Sequence, residues 1–281
     1  MLRLKMRNAL WAFLLPCLVL CGFEVGKAQQ KTAQPTAPRA RVTEQEVNAG
    51  IPDDPALNAI IAPYSPKVRE LEVVIGRLDG ELKKEGIGGG TMGNFVADAL
   101  RERAQVSTGK PVELAITNKG GLRKNVITPG ELRVSDIFEL LPFENALVVV
   151  QLTGDQLRRL LDVMMIGDEP AQAGARIRYR AITDKKNEIV GLKLIGPDGT
   201  EREIDPAATY NIVTIDYLVN RGGEYSAILK QSKQIQPLGI TMRDAVIAYV
   251  KNATAAGRSI KAELDGRYQD VNPPQKGENK Q

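Results

Sequence analysis

A regular alternation of strand, loop and helix patterns between residues 112 and 165 constrains the fold of this 281-residue chain more than any other feature. Val112–Thr117 (VELAIT) is a short apolar run typical of a buried strand, and the Gly-rich sequence Asn118–Arg123 (NKGGLR) ends it. The elements predicted after this loop are a helix over Val134–Leu141, a strand over Ala146–Leu152 and a helix over Asp155–Met165. Strands that alternate with helices predict a fold of the α/β (α+β) class.

The flanking sequence continues this mixture. After the Gly86–Gly90 loop, apolar residues recur at helical spacing, and Thr91 or Asn94 is suited to cap that helix. We expect the buried face of the helix to consist of Phe95, Val96, Ala99 and Leu100. Further predicted elements are antiparallel strands at Ala175–Ala181 and Val190–Ile195, a strand at Tyr210–Val219 and an amphipathic helix at Met242–Ala253.

Two loops of the central segment carry residues suited to a ligand. In the first, Gly120 and Gly121 allow close approach of the backbone to a bound group, while Asn118 and Arg123 supply an amide and a guanidinium. In the second, a proline ends a helix and presents Phe143 as a candidate stacking surface. Each signal alone is also typical of a plain turn, a solvated arginine or a core phenylalanine, so the hypothesis depends on their combination.

Histidine is absent from the sequence. Imidazole is the commonest transition-metal ligand and the usual general base near neutral pH. A Ser-His-Asp or Cys-His site is therefore excluded, and so is a histidine-containing zinc or dimetal site. Carboxylate-only Mg²⁺ sites remain compatible with the composition, although we expect no cofactor in this chain.

The N-terminus has the pattern of a secretory signal peptide. Basic residues precede the apolar run Ala9–Phe23, and small residues precede a cut after Ala28, so residues 1–28 are predicted to be removed. A transmembrane anchor is less favoured, because the run contains Pro16 and is shorter than the roughly 20 residues that a span needs. A lipoprotein signal, with Cys21 as the lipidated residue, is a minor alternative. We therefore predict a secreted, periplasmic protein with no transmembrane anchor after cleavage.

Three segments are predicted after the signal. Residues 29–50, rich in Gln, Ala, Thr and Pro, have the composition of a flexible linker, residues 51–270 that of a folded domain, and residues 271–281 that of a disordered tail. Removal of residues 1–28, with four basic side chains and one acidic, would lower the net charge from +4 to +1, so nucleic acid is not an expected partner. Both cysteines lie within the predicted signal, so we expect neither disulfides nor thiolate metal sites.

Four motifs occur in the order found in one protein family. They are Gly93–Leu100 (GNFVADAL), Asn118–Arg123 (NKGGLR), Leu141–Asn145 (LPFEN) followed by Leu147–Gly154 (LVVVQLTG), and Tyr217–Tyr225 (YLVNRGGEY). Together they resemble the C-terminal, substrate-binding domain of the 5'-nucleotidase family, over about Ile51 to Tyr268. The resemblance implies a four-layer α/β/β/α domain with mixed sheets that binds the nucleoside part of a nucleotide.

The resemblance also assigns roles to single residues. It implies that Asn118 and Arg123 contact the ligand and that Phe143 stacks on the base. The predicted substrate-binding residues are Asn118, Gly120, Gly121, Arg123, Phe143, Tyr217, Gly222, Gly223 and Glu224. No catalytic and no metal-binding residue is predicted.

The sequence departs from the family pattern at three places. Glu144 stands where the family has the glycine that follows the stacking phenylalanine. The second aromatic position of the family corresponds to Leu218, and Tyr217 is one place further from the Gly-Gly loop. Either a one-residue insertion lets Tyr217 complete the aromatic sandwich, or an aliphatic side chain takes that place. Lys83 and Lys84 are the cations nearest to an arginine expected before the Gly-Asn helix.

Enzymes of this family also carry an N-terminal calcineurin-like metallophosphoesterase domain, whose two metals are bound by His, Asp and Asn. This chain has neither the length nor the histidine for such a domain, so we expect no hydrolysis of phosphate esters by the chain alone. The leading hypothesis is a recognition chain for a nucleoside or 5'-nucleotide, which takes part in nucleotide catabolism with a separately encoded metallophosphoesterase that holds the divalent metals. The alternatives are a stand-alone periplasmic nucleoside-binding module and an interaction domain that has lost its ligand.

Overall fold

A computed structural model describes residues 41–46, 48, 50–167, 169–183, 186–196 and 198–273. The chain divides into two units, Met1–Pro52 and Asp53–Gln281, and all the elements below belong to the second. The predicted signal peptide, most of the predicted linker and the end of the predicted tail lie outside the described residues. Their boundaries stay predictions.

The helices follow the predicted order. Within the described residues they are α1 (Pro55–Ile61), α2 (Ser65–Leu71), α3 (Gly90–Thr108), α4 (Val134–Leu140), α5 (Gly154–Met164), α6 (Asp216–Asn220), α7 (Glu224–Leu229) and α8 (Met242–Ala255). None of these helices has the length and apolar character needed to cross a bilayer.

The strands of the described residues are short to medium in length. They are β1 (Val74–Asp79), β2 (Leu82–Lys83), β3 (Leu114–Asn118), β4 (Val126–Ile127), β5 (Gly130–Arg133), β6 (Ala146–Thr153), β7 (Pro170–Ala173), β8 (Ala175–Thr183), β9 (Lys186–Ile195), β10 (Glu201–Glu203), β11 (Thr209–Ile215), β12 (Ile235–Thr241), β13 (Ile260–Lys261) and β14 (Tyr268–Asp270).

A five-stranded mixed sheet lies at the centre of the domain. Its order is β12-β6-β11-β3-β7, in which β11 and β3 are parallel and the other neighbours antiparallel. All five residues of β3 are buried, as are most of β6 and β11, which explains why these strands are continuous apolar runs in the sequence. Because the first predicted ligand loop follows β3 and the second precedes β6, this sheet positions both loops.

A second sheet, of order β10-β9-β8-β14, is built on the antiparallel pair β8 and β9 predicted from alternating residues. Two smaller sheets, β13-β1-β5 and β2-β4, complete the described strands. Helix α3 packs against β3, β7 and α8, while α5 packs against β6 and α7. The predicted fold class, a mixed α/β domain with several mixed sheets, is confirmed.

The start of α3 differs from the prediction. Its N-cap is Gly89, at φ 79°, and both Thr91 and Asn94 lie within the helix. The Thr91 Oγ1 atom accepts the Lys83 N–H at 2.8 Å, and Asn94 Nδ2 donates to the Glu263 carbonyl at 3.0 Å. The two side chains that the sequence suggested as caps therefore form hydrogen bonds with residues distant along the chain instead. The predicted buried face of this helix is confirmed.

The strand predicted over Tyr210–Val219 was also wrong at its C-terminal end. β11 ends at Ile215, and α6 begins at Asp216. The Asp216 Oδ1 atom accepts the N–H groups of Tyr217, at 2.7 Å, and of Ala146, at 3.0 Å, which favours a turn at this point. Tyr217 consequently lies on the first turn of a short helix that follows the C-terminal end of β11.

Candidate functional site

One cavity brings together six of the nine predicted site residues. Its volume is about 280 Å³, near the lower limit of about 300 Å³ for small-molecule pockets. The lining residues are Asn118, Gly120, Gly121, Arg123, Phe143, Asn145 and Tyr217. They come from the ends of β3 and β11 and from the segment that precedes β6, so three neighbouring strands of one sheet build the site.

Asn118 forms the polar floor of this cavity. It is 8% exposed, at the end of β3, and its Oδ1 atom has no hydrogen-bond partner within the described part of the chain. A methyl group added at Gly120 would lie 3.3 Å from Asn118 Nδ2, so the glycine keeps the amide uncrowded. A buried acceptor without a partner costs about 1–3 kcal/mol, and a ligand that donates a hydrogen bond would recover that energy.

The loop around Asn118 is held from outside the cavity. The Arg123 N–H donates to the Leu140 carbonyl at 2.8 Å, which joins the loop to the end of α4. Lys84 Nζ donates to the Leu122 carbonyl at 2.7 Å, and Lys119 forms an ion pair with Glu169. Lys84 and Lys119 thus stabilise the loop. Arg123 is exposed and is the cation among the described residues that line the cavity.

Phe143 supplies an aromatic surface on the segment between α4 and β6. Its side chain is 47% exposed although the neighbouring Leu141 is fully buried. The Arg123 guanidinium carbon lies 5.8 Å from the Phe143 ring centroid, within the range of a cation–π contact. Asn145, two residues further, adds a second amide to the lining; it was not predicted, although it is the last residue of the LPFEN motif.

Tyr217 supplies the second aromatic surface. It is 46% exposed and lines the cavity, whereas Leu218 is 1% exposed and lies in the core. Of the two alternatives for this position, the structure therefore places the aromatic residue in the cavity. Asp216 was missed by sequence reasoning: its carboxylate joins Tyr217 to Ala146 and so holds both aromatic segments together.

The remaining predicted residues, Gly222, Gly223 and Glu224, are not among the lining residues that the structure describes. Gly222 and Gly223 form the turn between α6 and α7, with positive φ values of 83° and 84°, and Glu224 is the first residue of α7. The preceding Arg221 has its guanidinium carbon 5.7 Å from the Tyr217 ring centroid and 4.9 Å from that of Tyr225. This turn therefore contacts the ligand cavity indirectly, through the aromatic ring that it supports.

The lining defines what the cavity can bind. Two exposed aromatic rings suit a flat heterocycle, the two amides suit polar edges, and Arg123 suits an anion or a hydroxyl oxygen. The described lining residues include no carboxylate. Across the described ranges between residues 41 and 273, no cluster of three or more acidic side chains is placed to hold a metal ion.

A larger cavity, of about 560 Å³, lies where α3, α8 and the C-terminal segment meet. Three of its charged groups are paired with one another: Arg267 binds Asp265 at 2.7 and 2.9 Å and Asp98 at 3.1 Å, and it also donates to the Gln172 carbonyl at 2.8 Å. Burial raises the pKa of Asp98, and Arg267 only partly offsets this effect. Burial also favours a raised pKa for Asp265. Hydrogen bonds from Arg267 outweigh this effect, so the pKa of the Asp265 carboxyl is lowered.

Sequence comparison gives the same indication as the motifs. Residues 71–231 match the family described as "5'-nucleotidase, C-terminal domain". The chain is 25% identical over 205 residues to the trifunctional nucleotide phosphoesterase protein YfkN of Bacillus subtilis, covering 71% of this chain and 14% of that protein. It is 27% identical over 188 residues to the probable 5'-nucleotidase of Treponema pallidum, covering 63% of this chain and 30% of the relative.

Structural comparison shows the same fold in a solved protein. The 5'-nucleotidase precursor of Thermus thermophilus superposes with a TM-score of 0.64 and 24% identity, over 78% of this chain and 43% of that one. The chain thus spans less than half the length of each of these three similar proteins.

Proposed function

The chain belongs to the 5'-nucleotidase C-terminal domain family, related to nucleotide hydrolases, and on that premise we propose that it recognises the nucleoside part of a 5'-nucleotide. The observation that carries the proposal is the cavity in which Phe143 and Tyr217 are half-exposed beside Asn118 and Arg123. Half-exposed rings at a cavity wall offer the stacking surface that purine and pyrimidine bases require.

Each lining group has a proposed role. The Phe143 and Tyr217 rings contact the base, and the unpaired Oδ1 of Asn118 accepts a hydrogen bond from a base N–H or a ribose hydroxyl. The Arg123 guanidinium binds a ribose oxygen or the phosphate, since it is the charged group of the lining and presents several N–H donors. Gly120 and Gly121 leave room for the ribose beside the amide.

Hydrolysis would need a second protein. We propose that a separately encoded metallophosphoesterase supplies the divalent metals and the activated water, while this chain orients the nucleoside, so that the pair takes part in nucleotide catabolism. The absence of histidine and the lack of a carboxylate in the described lining support this division of labour. The signal-like N-terminus supports secretion, with the periplasm as the proposed compartment.

A second function, nucleoside binding without hydrolysis, is favoured by one observation. The groups that would hold a nucleoside all belong to this chain, so binding would not need the partner. The two proposals differ only in whether a catalytic chain acts on the bound ligand.

Isothermal titration of the chain from Gln29 with adenosine and with AMP tests both proposals, together with a phosphate-release assay in Mn²⁺. We expect binding of at least one of the two compounds and no phosphate release until a metallophosphoesterase is added. Release of phosphate by the chain alone would contradict the division of labour. Failure to bind any nucleoside or nucleotide would contradict recognition and favour an interaction domain that has lost its ligand.

A further inference from the structure

Arg243, the second residue of α8, contacts the Phe143 segment from outside the ligand cavity. It is 7% exposed, and its Nη1 donates to the Leu141 carbonyl at 3.3 Å while its Nη2 forms a hydrogen-bonded ion pair with Glu144. Leu141 and Glu144 are the residues on either side of Pro142 and Phe143. A single guanidinium therefore holds both ends of the two-residue segment that presents the aromatic ring.

The same guanidinium also lies against α4. Its carbon atom is 4.0 Å from the ring centroid of Phe138, a close cation–π contact. The Arg243 Nε atom has no hydrogen-bond partner among the described residues. A buried cation with one orphan N–H depends on its remaining partners, which are Glu144, the Leu141 carbonyl and the Phe138 ring.

The first turn of α8 is itself fixed. Thr241 and Asp244 form a capping box, in which the Thr241 hydroxyl accepts the Asp244 N–H at 3.1 Å. The N–H of Met242 donates to the Asn145 carbonyl at 2.8 Å. Consecutive residues of α8 thus hold Leu141, Glu144 and Asn145, and the Phe143 segment is attached to a rigid helix end at three points.

This arrangement accounts for the glutamate that replaces a glycine of the family pattern. The Glu144 carboxylate is engaged by Arg243 and is not among the described lining residues of the cavity. Its side chain is 74% exposed, so the ion pair is open to water on one side. The negative charge is therefore paired with a cation and is not part of the described cavity lining.

We propose that Arg243 and Glu144 are positioning residues that preorganise Phe143 for stacking on the base, and this proposal rests on the nucleoside-recognition function. A half-exposed ring on an untethered loop must lose its freedom when ligand binds, and fixing it beforehand removes that cost. The Arg243–Glu144 pair thus increases affinity without touching the ligand.

A double-mutant cycle on the chain from Gln29 separates positioning from general packing. Adenosine and AMP affinities are measured by calorimetry for the original chain, Glu144→Ala, Arg243→Met, Phe143→Ala and each double variant with Phe143→Ala. We expect Glu144→Ala and Arg243→Met to weaken binding by about threefold to tenfold, where tenfold equals 1.4 kcal/mol. In the Phe143→Ala background neither should have a further effect, because the ring they position is gone.

Asp162→Ala provides the matched control. It breaks the Arg158–Asp162 pair of α5, whose side chains are 44% and 45% exposed and do not line the cavity. Its affinity should be unchanged. Equal losses for Glu144→Ala with and without Phe143, or no loss for either member of the pair, would overturn the proposal.

A second measurement does not depend on the ligand. Trp11, the single tryptophan of the sequence, lies within the predicted signal peptide, so Phe143→Trp in the chain from Gln29 places one indole at the tip of the segment. We expect its fluorescence anisotropy to decrease when Glu144→Ala or Arg243→Met is added and to be unchanged by Asp162→Ala. Unchanged anisotropy in all three would overturn the positioning role, whereas decreased anisotropy without any nucleoside binding would overturn the proposed function alone.

Discussion

The aromatic-lined cavity at the sheet edge and the charged cavity between α3 and α8 differ in how their polar groups are satisfied. The charged cavity is twice as large, at about 560 Å³ against about 280 Å³. Arg267, Asp98 and Asp265 of this cavity are paired with one another, whereas the smaller cavity exposes two aromatic rings and the unpaired acceptor of Asn118. Unsatisfied polar atoms and exposed aromatic surface, rather than volume, are therefore the features that favour the smaller cavity as the proposed ligand site.

The largest expected effect belongs to the charged cavity. Arg267→Ala leaves Asp98 and Asp265 without their cation and should lower the free energy of unfolding by about 3 kcal/mol, the lower end of the range for breaking a buried ion pair, because the two carboxylates are 40% and 47% exposed. Urea unfolding followed by circular dichroism measures this. Lys261→Ala, at the exposed rim of the same cavity, should change stability by less than about 0.5 kcal/mol. If Arg267→Ala instead abolished nucleoside binding in a stable domain, the contrast between the two cavities would be reversed.

Phe143→Ala should have the next largest effect, and on binding rather than folding. Loss of one stacking surface should weaken nucleoside affinity by about 1–3 kcal/mol, while the half-exposed position limits the change in unfolding free energy to about 1 kcal/mol. Titration calorimetry and urea unfolding of the same preparation measure the two quantities. Tyr64→Ala, which removes a ring that is 65% exposed outside the cavity, is the matched control and should leave affinity unchanged. Unaltered affinity in a folded Phe143→Ala variant would remove this ring from the site.

Asn118→Ala should lower ligand affinity without lowering the stability of the domain. Affinity should fall by about 1 kcal/mol with the loss of one hydrogen bond, whereas removal of a buried acceptor without a partner should leave the free energy of unfolding unchanged or raise it by up to about 1 kcal/mol. Thermal unfolding with and without AMP measures both effects. A marked loss of stability would show that the Asn118 amide supports the fold.

The smallest effect is expected for Tyr217→Phe, measured by the same titration calorimetry. The ring is retained, so affinity should change by less than about 0.5 kcal/mol, while Tyr217→Ala should behave like Phe143→Ala. A loss of more than about 1 kcal/mol for Tyr217→Phe would assign a hydrogen bond to the phenolic hydroxyl, and the second aromatic surface would then act as a polar group.

The sequence was informative where a local pattern decides the outcome. The predicted helix over residues 134–141 and the strand over 146–152 agree with α4 and β6 to within one residue, because a proline ends the first and a continuous apolar run defines the second. The cap of α3 and the end of β11 were predicted incorrectly, since both depend on partners distant along the chain, such as the Ala146 N–H that Asp216 accepts. Five of the six gathered site residues were already suggested by the chemistry of two loops, whereas Tyr217 was predicted only through the family resemblance.

Contacts between distant segments could not be predicted from any local pattern. The Arg243–Glu144 pair joins residues 99 positions apart, and no spacing rule relates α8 to the Phe143 segment before the sheet has brought them together. Arg267 and Asp98 are 169 positions apart, and the same reasoning applies to them. The sequence identifies which groups can form ions, but only the tertiary structure identifies which of those ions have a partner.

The antiparallel pairing of β6 with β11 has a consequence for how this domain can diverge. Leu147 pairs with Ile215 at the end of the ladder where Phe143 precedes one strand and Tyr217 follows the other. The two rings thus lie near the same end of two adjacent strands. The spacing of these strands, about 4.8 Å, is set by backbone hydrogen bonds and does not depend on side-chain identity. Evolution can therefore exchange either ring, and with it the preferred ligand, while the frame that holds the two positions is inherited unchanged.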